Sequence, residues 1–366
     1  MNLKRQLRRL LLLEWAGYFR PAGAIWVLLL ANRGFTLAEI GLAEGFFHLV
    51  SLCCEVPSGL LADLMGRKRT LAAGQLLFAL SALAMIYSRT MTGVCLNMGL
   101  TALGYNLASG TREAITYDSL LLCGEEGNYL TVSSRLNIAY RLTTAAATLC
   151  TGGVLILGYR AGYTLDALFA LGAMGVALSL HEPLVTEGQK GRAAARLCEL
   201  PRLMREHIRA AGLFLVGHPR AVGLMLFNAL AGALATLLGF YLQDGLSTKG
   251  APAAMLGPLL VAVGLGGALG SRLAPVLHRL PYRAAAALAC AGIFCGYFLV
   301  ASATVPVMAL GGFLAAAADD ALQTLTDARL NAGLPSDQRA TLISVSSMCF
   351  SVVMVVLSPL AGALAG

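Results

Sequence analysis

The chain has 366 residues, of which 57% are apolar and only 13% charged, and its mean hydropathy is +0.72. A soluble domain carries about 25% charged residues, so a soluble enzyme or binding module is excluded and an integral membrane protein is indicated. The net charge of +8 sits in short gaps between apolar runs, where it orients a membrane protein rather than holding nucleic acid.

Apolar stretches recur near 10–31, 38–60, 70–88, 92–115, 136–157, 162–181, 219–242, 252–275, 284–302, 305–328 and 340–363. A backbone in hydrocarbon must satisfy its own hydrogen bonds, and these runs are about twice the length of a barrel strand, so each is predicted as a spanning helix. The 41 glycines suit close packing of helices in lipid. The opening MNLKRQLRRLLLLEWAG has the basic head of a secretory signal. No small-residue cleavage site follows and the run continues past Ile25, so it reads as the first span.

Ionisable groups in hydrocarbon are functional candidates by default. Arg20 falls near the centre of span one. Span two places Glu44, His48, Ser51 and Glu55 at spacings of four, three and four, on one helical face. Asn106, Arg112 and Glu113 lie toward the end of span four. Span five carries Asn137, Arg141, Thr144 and Thr148 in a stripe, and span eleven Ser344, Ser347 and Ser351. Span ten holds the vicinal pair Asp319 and Asp320, followed by Gln323. Neighbours on a helix diverge by about 100°, so one aspartate is expected to face an aqueous interior and carry a proton. The competing reading is a structural ion pair with Arg20. Hydroxyl stripes alone fit either a cavity or interhelical packing.

Residues 181 to 220 form the long polar segment. Leu203, His207, Ala210, Ala211 and Phe214 recur at helical spacing against Arg202, Arg205, Glu206 and Arg209, which predicts a basic amphipathic helix on the inner leaflet or a solvated linker. It divides the chain into a six-helix half at 1–181, a linker at 182–218 and a five-helix half at 219–366. Bases concentrate at 4–9, 67–69, 190–209, 279, 329 and 339, against single residues at Arg33, Arg89, Arg160 and Lys249. The first set is cytoplasmic, which puts the N-terminus inside and Gly366 outside. The nine cysteines show no metal-ligand spacing and the catalytic motifs of hydrolases and phosphate loops are missing, so no enzyme activity, cofactor or metal is expected.

Between spans two and three runs Gly59-x-Leu61-Ala62-Asp63-x-x-Gly66-Arg67-Lys68-x-x-Leu71. It resembles the signature loop of the major facilitator superfamily, departing at Leu64, where a basic residue is common. SGTREAITYDSL and RATLISVSSMCF resemble a prokaryotic drug-efflux-like branch, and the likeness covers nearly the whole chain up to a missing twelfth span. It implies an all-α membrane protein, a major-facilitator-type bundle of two pseudo-symmetric halves with about 11 transmembrane helices. The implied function is a secondary active transporter moving a small solute by alternating access, with proton-coupled efflux. It also implies a gating loop of Gly59, Asp63, Gly66, Arg67 and Lys68, with Asp118 as partner to Arg67 and Asp63 facing the eleventh helix. The solute or proton pathway is assigned to Arg20, Glu44, His48, Asn106, Glu113, Arg141, Asp319, Asp320 and Gln323. TTAAATLCTGGVLILG in span five has no proline where exporters of this kind carry one, which leaves the direction open. The alternative is a non-transporting, receptor-like protein of the same fold. Expected partners are the solute, protons, membrane lipids and a helix or second copy covering the missing span, in a bacterial inner membrane. A reporter that works only outside the cytoplasm, fused after Gly366, should be active; activity of a cytoplasm-restricted reporter there would overturn the eleven-span count.

Overall fold

The computed structural model describes residues 2–183, 200–301, 304–333 and 339–365. All regular structure among the described residues is helical. The first span is assembled from three pieces, α1 (Leu3–Gly17), α2 (Pro21–Ala24) and α3 (Trp26–Ala31). The second and third are single helices, α4 (Leu37–Met65) and α5 (Arg67–Tyr87). The fourth is α6 (Met91–Ala108) continued by α7 (Thr111–Leu121), and the fifth is α8 (Tyr129–Leu149) continued by α9 (Thr151–Leu157). There follow α10 (Tyr159–Ser179), the linker helix α11 (Leu200–Gly217), α12 (Pro219–Thr248), α13 (Ala253–Leu277), α14 (Tyr282–Val300), α15 (Val305–Gly333) and α16 (Arg339–Ala365). Every predicted stretch is thus helical. Nine helical stretches among the described residues are long and apolar enough to cross a membrane; the other two predicted spans, 10–31 and 92–115, are helical but interrupted. The protein is a multi-pass integral membrane protein.

The breaks have local causes. Proline has no N–H to donate, and Pro21 opens α2 after a turn at Tyr18 to Arg20. Gly110 has φ +69° where α6 gives way to α7, a conformation that costs glycine nothing. Prolines inside α4 (Pro57), α13 (Pro258, Pro275) and α16 (Pro359) are carried without ending the helix, as neighbouring helices permit in membranes.

Contacts divide the chain into two compact units. The first comprises Met1–Ala24, Leu49–Ala147 and Leu157–Arg209, and the second Ile25–His48, Thr148–Ile156 and Ala210–Gly366. These are units of packing and cut through spans one, two and five, whereas the halves read from the sequence divide the chain by order. In the first unit α5 packs against α6 and α10, and α1 against α10. Its core is Leu10, Leu13, Leu71, Ile115, Leu120, Leu136, Ala173 and Leu180. Buried Gln6 of α1 fastens this core to the chain beyond α10. It donates to the His181 carbonyl at 3.0 Å and to Ser119 Oγ at 3.2 Å, and accepts from the His181 N–H at 2.9 Å.

In the second unit α15 packs against both α13 and α14, and α12 against α16. Small residues set these distances. A β-carbon added at Gly266 or Gly270 of α13 would run into the backbone of α15 at Phe313 or Ala317. The beginning of α4 lies on α16, where Ser358 Oγ donates to the Gly41 carbonyl at 3.0 Å. Gly45 faces the Pro359 ring, and a β-carbon on Gly152 of α9 would stand 2.7 Å from the Ala253 carbonyl of α13.

Helix α11 leaves Arg202, Arg205, Glu206 and Arg209 exposed, with Arg202 Nε 3.0 Å from Glu206, and buries Phe214. The side chains of Leu203, His207, Ala210 and Ala211, as well as residues 184–199 of the linker, lie outside the described residues.

Gly270→Val should destabilise the fold by about 1–3 kcal/mol through overpacking against α15, read as a lower melting temperature in detergent. Gly172→Ala, whose β-carbon meets nothing within 4 Å, is the comparison and should melt as the wild type does.

Candidate functional site

Within the second unit, three helices face a shared cavity of about 540 Å³, two of them with repeats of period four. Helix α12 presents Asn228, Gly232 and Thr236, α15 presents Asp319, Gln323 and Asp327, and α16 adds Ser346, Ser347 and Phe350. Residues four apart share a helical face, so each polar stripe is turned inward by the same helix that turns apolar residues outward. The two aspartates part company here. Asp319 lines the cavity. A β-carbon on Gly232 would lie 3.4 Å from its Oδ1, so the glycine leaves room for the carboxylate. Asp320 points at α13 instead, where a β-carbon on Gly267 would come within 2.5 Å of its Oδ2. Both lie near the middle of α15.

Glu44 and His48 of α4 are buried beside this cavity, with His48 Nε2 3.3 Å from Glu44 Oε1. The imidazole meets Phe350 edge-on, ring centroids 5.4 Å apart. Its Nδ1 has no hydrogen-bond partner among the described residues.

Within the first unit two polar clusters form. One surrounds the break in the first span. Asp166 of α10 accepts the N–H of Ala22 at 3.2 Å and of Gly23 at 2.9 Å. Beside it Arg20 donates to Tyr105 Oη at 3.0 Å and lies over the Phe78 ring, 4.0 Å from its centroid. Asn106 is tied to α4, donating to the Ser51 carbonyl at 2.7 Å and accepting from Ser51 Oγ at 2.8 Å. Arg141 of α8 is exposed.

The other cluster lies at the junctions of α1, α5 and α7. Arg112 reaches Glu14 at 3.0 Å and Glu113 at 2.5 Å, and Glu14 is only 1% exposed. Arg67 pairs with Asp118 and donates to the Ala114 carbonyl at 2.6 Å. Gly66, at φ +90°, starts α5 against Glu182, whose carboxylate accepts the N–H of Arg67 and of Lys68, each at 2.8 Å. An acid at a helix start satisfies N–H groups that the helix itself leaves over.

Of the residues singled out in the sequence, the structure brings together Arg67 with Asp118, Glu44 with His48, and Asp319 with Gln323. Arg20 belongs to the first unit, and Asp319 and Asp320 to the second. The surroundings of Gly59 and the side chain of Asp63 lie outside what the structure describes. Sequence reading missed Asp166 and Glu182. The signal for Asp166 was a lone acid four residues into α10's apolar run past Gly162; for Glu182 it was an acid just past the end of span six.

The chain matches the sequence pattern of the Major Facilitator Superfamily over residues 11–359. No curated protein matches it. Among solved structures it is similar to the nucleoside transporter NupG, with a TM-score of 0.78 at 16% identity, covering 100% of this chain and 91% of that one. It is also similar to a bacterial homolog of the human lysosomal transporter Spinster in an inward-facing and occupied conformation (TM-score 0.72, 14% identity, 97% and 80% covered). A D-xylose-proton symporter follows at TM-score 0.67 and 14% identity, with 97% and 87% covered. At such identities the likeness is one of fold.

Removing one partner of a buried ion pair strands the other charge and costs about 3–5 kcal/mol. Arg112→Met should therefore lower the melting temperature sharply by stranding Glu14, and the double variant with Glu14→Gln should recover most of the loss.

Proposed function

The chain belongs to the Major Facilitator Superfamily, and from that premise we propose that it is a secondary active transporter that exports a small amphipathic solute in exchange for protons. The observation that carries this reading is the Asp319 cavity. A carboxylate at the middle of a membrane helix is costly, and here it is turned toward a polar, solute-sized space. Cavities for drug-sized ligands run about 300–1,000 Å³. Asp319 is the proton carrier in this scheme, while Asp320 is held against α13. One similar structure is described as a proton symporter, which favours the same coupling ion.

Export is favoured by the likeness of 109–120 and 339–350 to the drug-efflux-like branch. The halves 1–181 and 219–366 are the two rocking bodies, joined by 182–218, with the N-terminus in the cytoplasm of a bacterial cell and the basic linker against lipid headgroups. The signature loop acts as the inner latch. The Arg67–Asp118 pair and the Glu182 carboxylate at the start of α5 support that role by holding the loop in one geometry. Glu44, His48, Asn106, Glu113, Arg141 and Gln323 complete the pathway.

In proteoliposomes loaded with a pH-sensitive dye, a panel of weak acids, weak bases and neutral amphiphiles should reveal solute-dependent proton movement. Asp319→Asn should reduce it at least tenfold and leave solute exchange across the membrane in place, while Asp320→Asn should retain coupling. Full coupled flux in Asp319→Asn would remove the proton-carrier role. Solute binding with no movement of any solute would favour the receptor-like alternative.

A further inference from the structure

Arg20 is a cation at the middle of a span with no carboxylate partner among the described residues. Asp166, close enough to act on it electrostatically, spends its oxygens on the N–H groups of Ala22 and Gly23. A guanidinium carries five N–H donors in a planar fork. One bond, to Tyr105 Oη, is made among the described residues. The rest of its surroundings are ring faces: Phe78, Tyr105 at 5.0 Å and Tyr18 at 5.8 Å from the guanidinium carbon. Tyr18 in turn meets Tyr140 edge-on, with centroids 4.7 Å apart.

These groups share one side of the first unit. Tyr105 is 41% and Tyr140 37% exposed, although both lie in the apolar parts of their spans. Tyr140 makes no hydrogen bond through its hydroxyl among the described residues, and a hydroxyl left without a partner in hydrocarbon would be costly, so this surface faces water. Tyr140 also feels the fields of Arg20, Arg112 and Arg141. Arg112 is neutralised by Glu14 and Glu113, whereas exposed Arg141 has no ion pair among the described residues. The surface is therefore tyrosine-rich and carries two guanidinium groups, Arg20 and Arg141, with no ion pair among the described residues.

The geometry points to a binding surface for an aromatic carboxylate, its anionic group on the open donors of Arg20 and its ring among Tyr18, Tyr105 and Tyr140. Carboxylates match the guanidinium fork with two parallel hydrogen bonds. Asp166 acts as a positioning residue: by holding the backbone at Ala22 and Gly23 it fixes Arg20 at the break. This deepens the transport reading, on which it rests for its biological meaning.

Equilibrium dialysis of the purified full chain with 2-naphthoate and with 2-naphthamide, equal in shape but differing in charge, tests it. The wild type should bind the acid at least tenfold more tightly than the amide. Arg20→Gln should lower naphthoate affinity tenfold or more without changing that for the amide, and Arg20→Lys should keep part of the preference. Should Arg20→Gln fail to fold, the comparison of acid with amide on the wild type, together with a two- to fivefold loss in Arg141→Gln, carries the decision. Equal binding of acid and amide, binding of neither, or unchanged naphthoate affinity in folded Arg20→Gln would overturn the site. Solute-driven proton flux without naphthoate preference would retire this site and leave transport standing; naphthoate binding without flux of any solute would do the reverse.

Discussion

A backbone N–H or carbonyl left unpaired in hydrocarbon costs several kcal/mol, roughly as much as the whole margin by which many domains are stable. Two departures from plain helix in this molecule are compensated where they occur. The break in the first span is possible because Asp166 takes up the N–H groups of Ala22 and Gly23. The start of α5 is possible at the junction with α4 because Glu182 takes up those of Arg67 and Lys68. Both acids come from elsewhere in the chain, so irregular backbone is also where distant segments are tied together.

The same economy governs the charged side chains. Glu14 and Arg112 neutralise one another, Arg67 is held by Asp118 and a carbonyl, and Arg20 leans on ring faces. Asp319 is different in kind, because it faces a cavity and has no countercharge among the described residues. Glycine opposite each of the paired aspartates decides their directions. Gly267 receives Asp320 and Gly232 leaves space over Asp319.

How much of this was legible beforehand follows from the range of each interaction. The helices were, since an apolar run long enough to cross a bilayer has one admissible backbone. The stripe on α4 was also legible, because i and i+4 lie on one face whatever the tertiary fold. The interruption of span one was not: Pro21 marked it, but its completion needs Asp166, 144 residues beyond Ala22. That the vicinal aspartates diverge was implied by helical geometry. Which of them looks into the cavity depends on α12 and α13, whose small residues carry no directional signal in a sequence. Arg141 reads as one more pathway charge in the sequence, and its exposure on α8 comes only with the packing around it.

Gly232 differs from the other close-packed glycines. At Gly266 and Gly270 an added β-carbon collides with backbone, and mutation there is a matter of folding. At Gly232 its nearest neighbours would be 3.4 and 3.6 Å away, ordinary contact distances, on Asp319 and Phe350. The position is thus decoupled from the scaffold and coupled only to the chamber. Evolution can shrink the room over the acid by one small substitution at this position, trading ligand size against hydration of the carboxylate, while the bundle that holds them stays as it is.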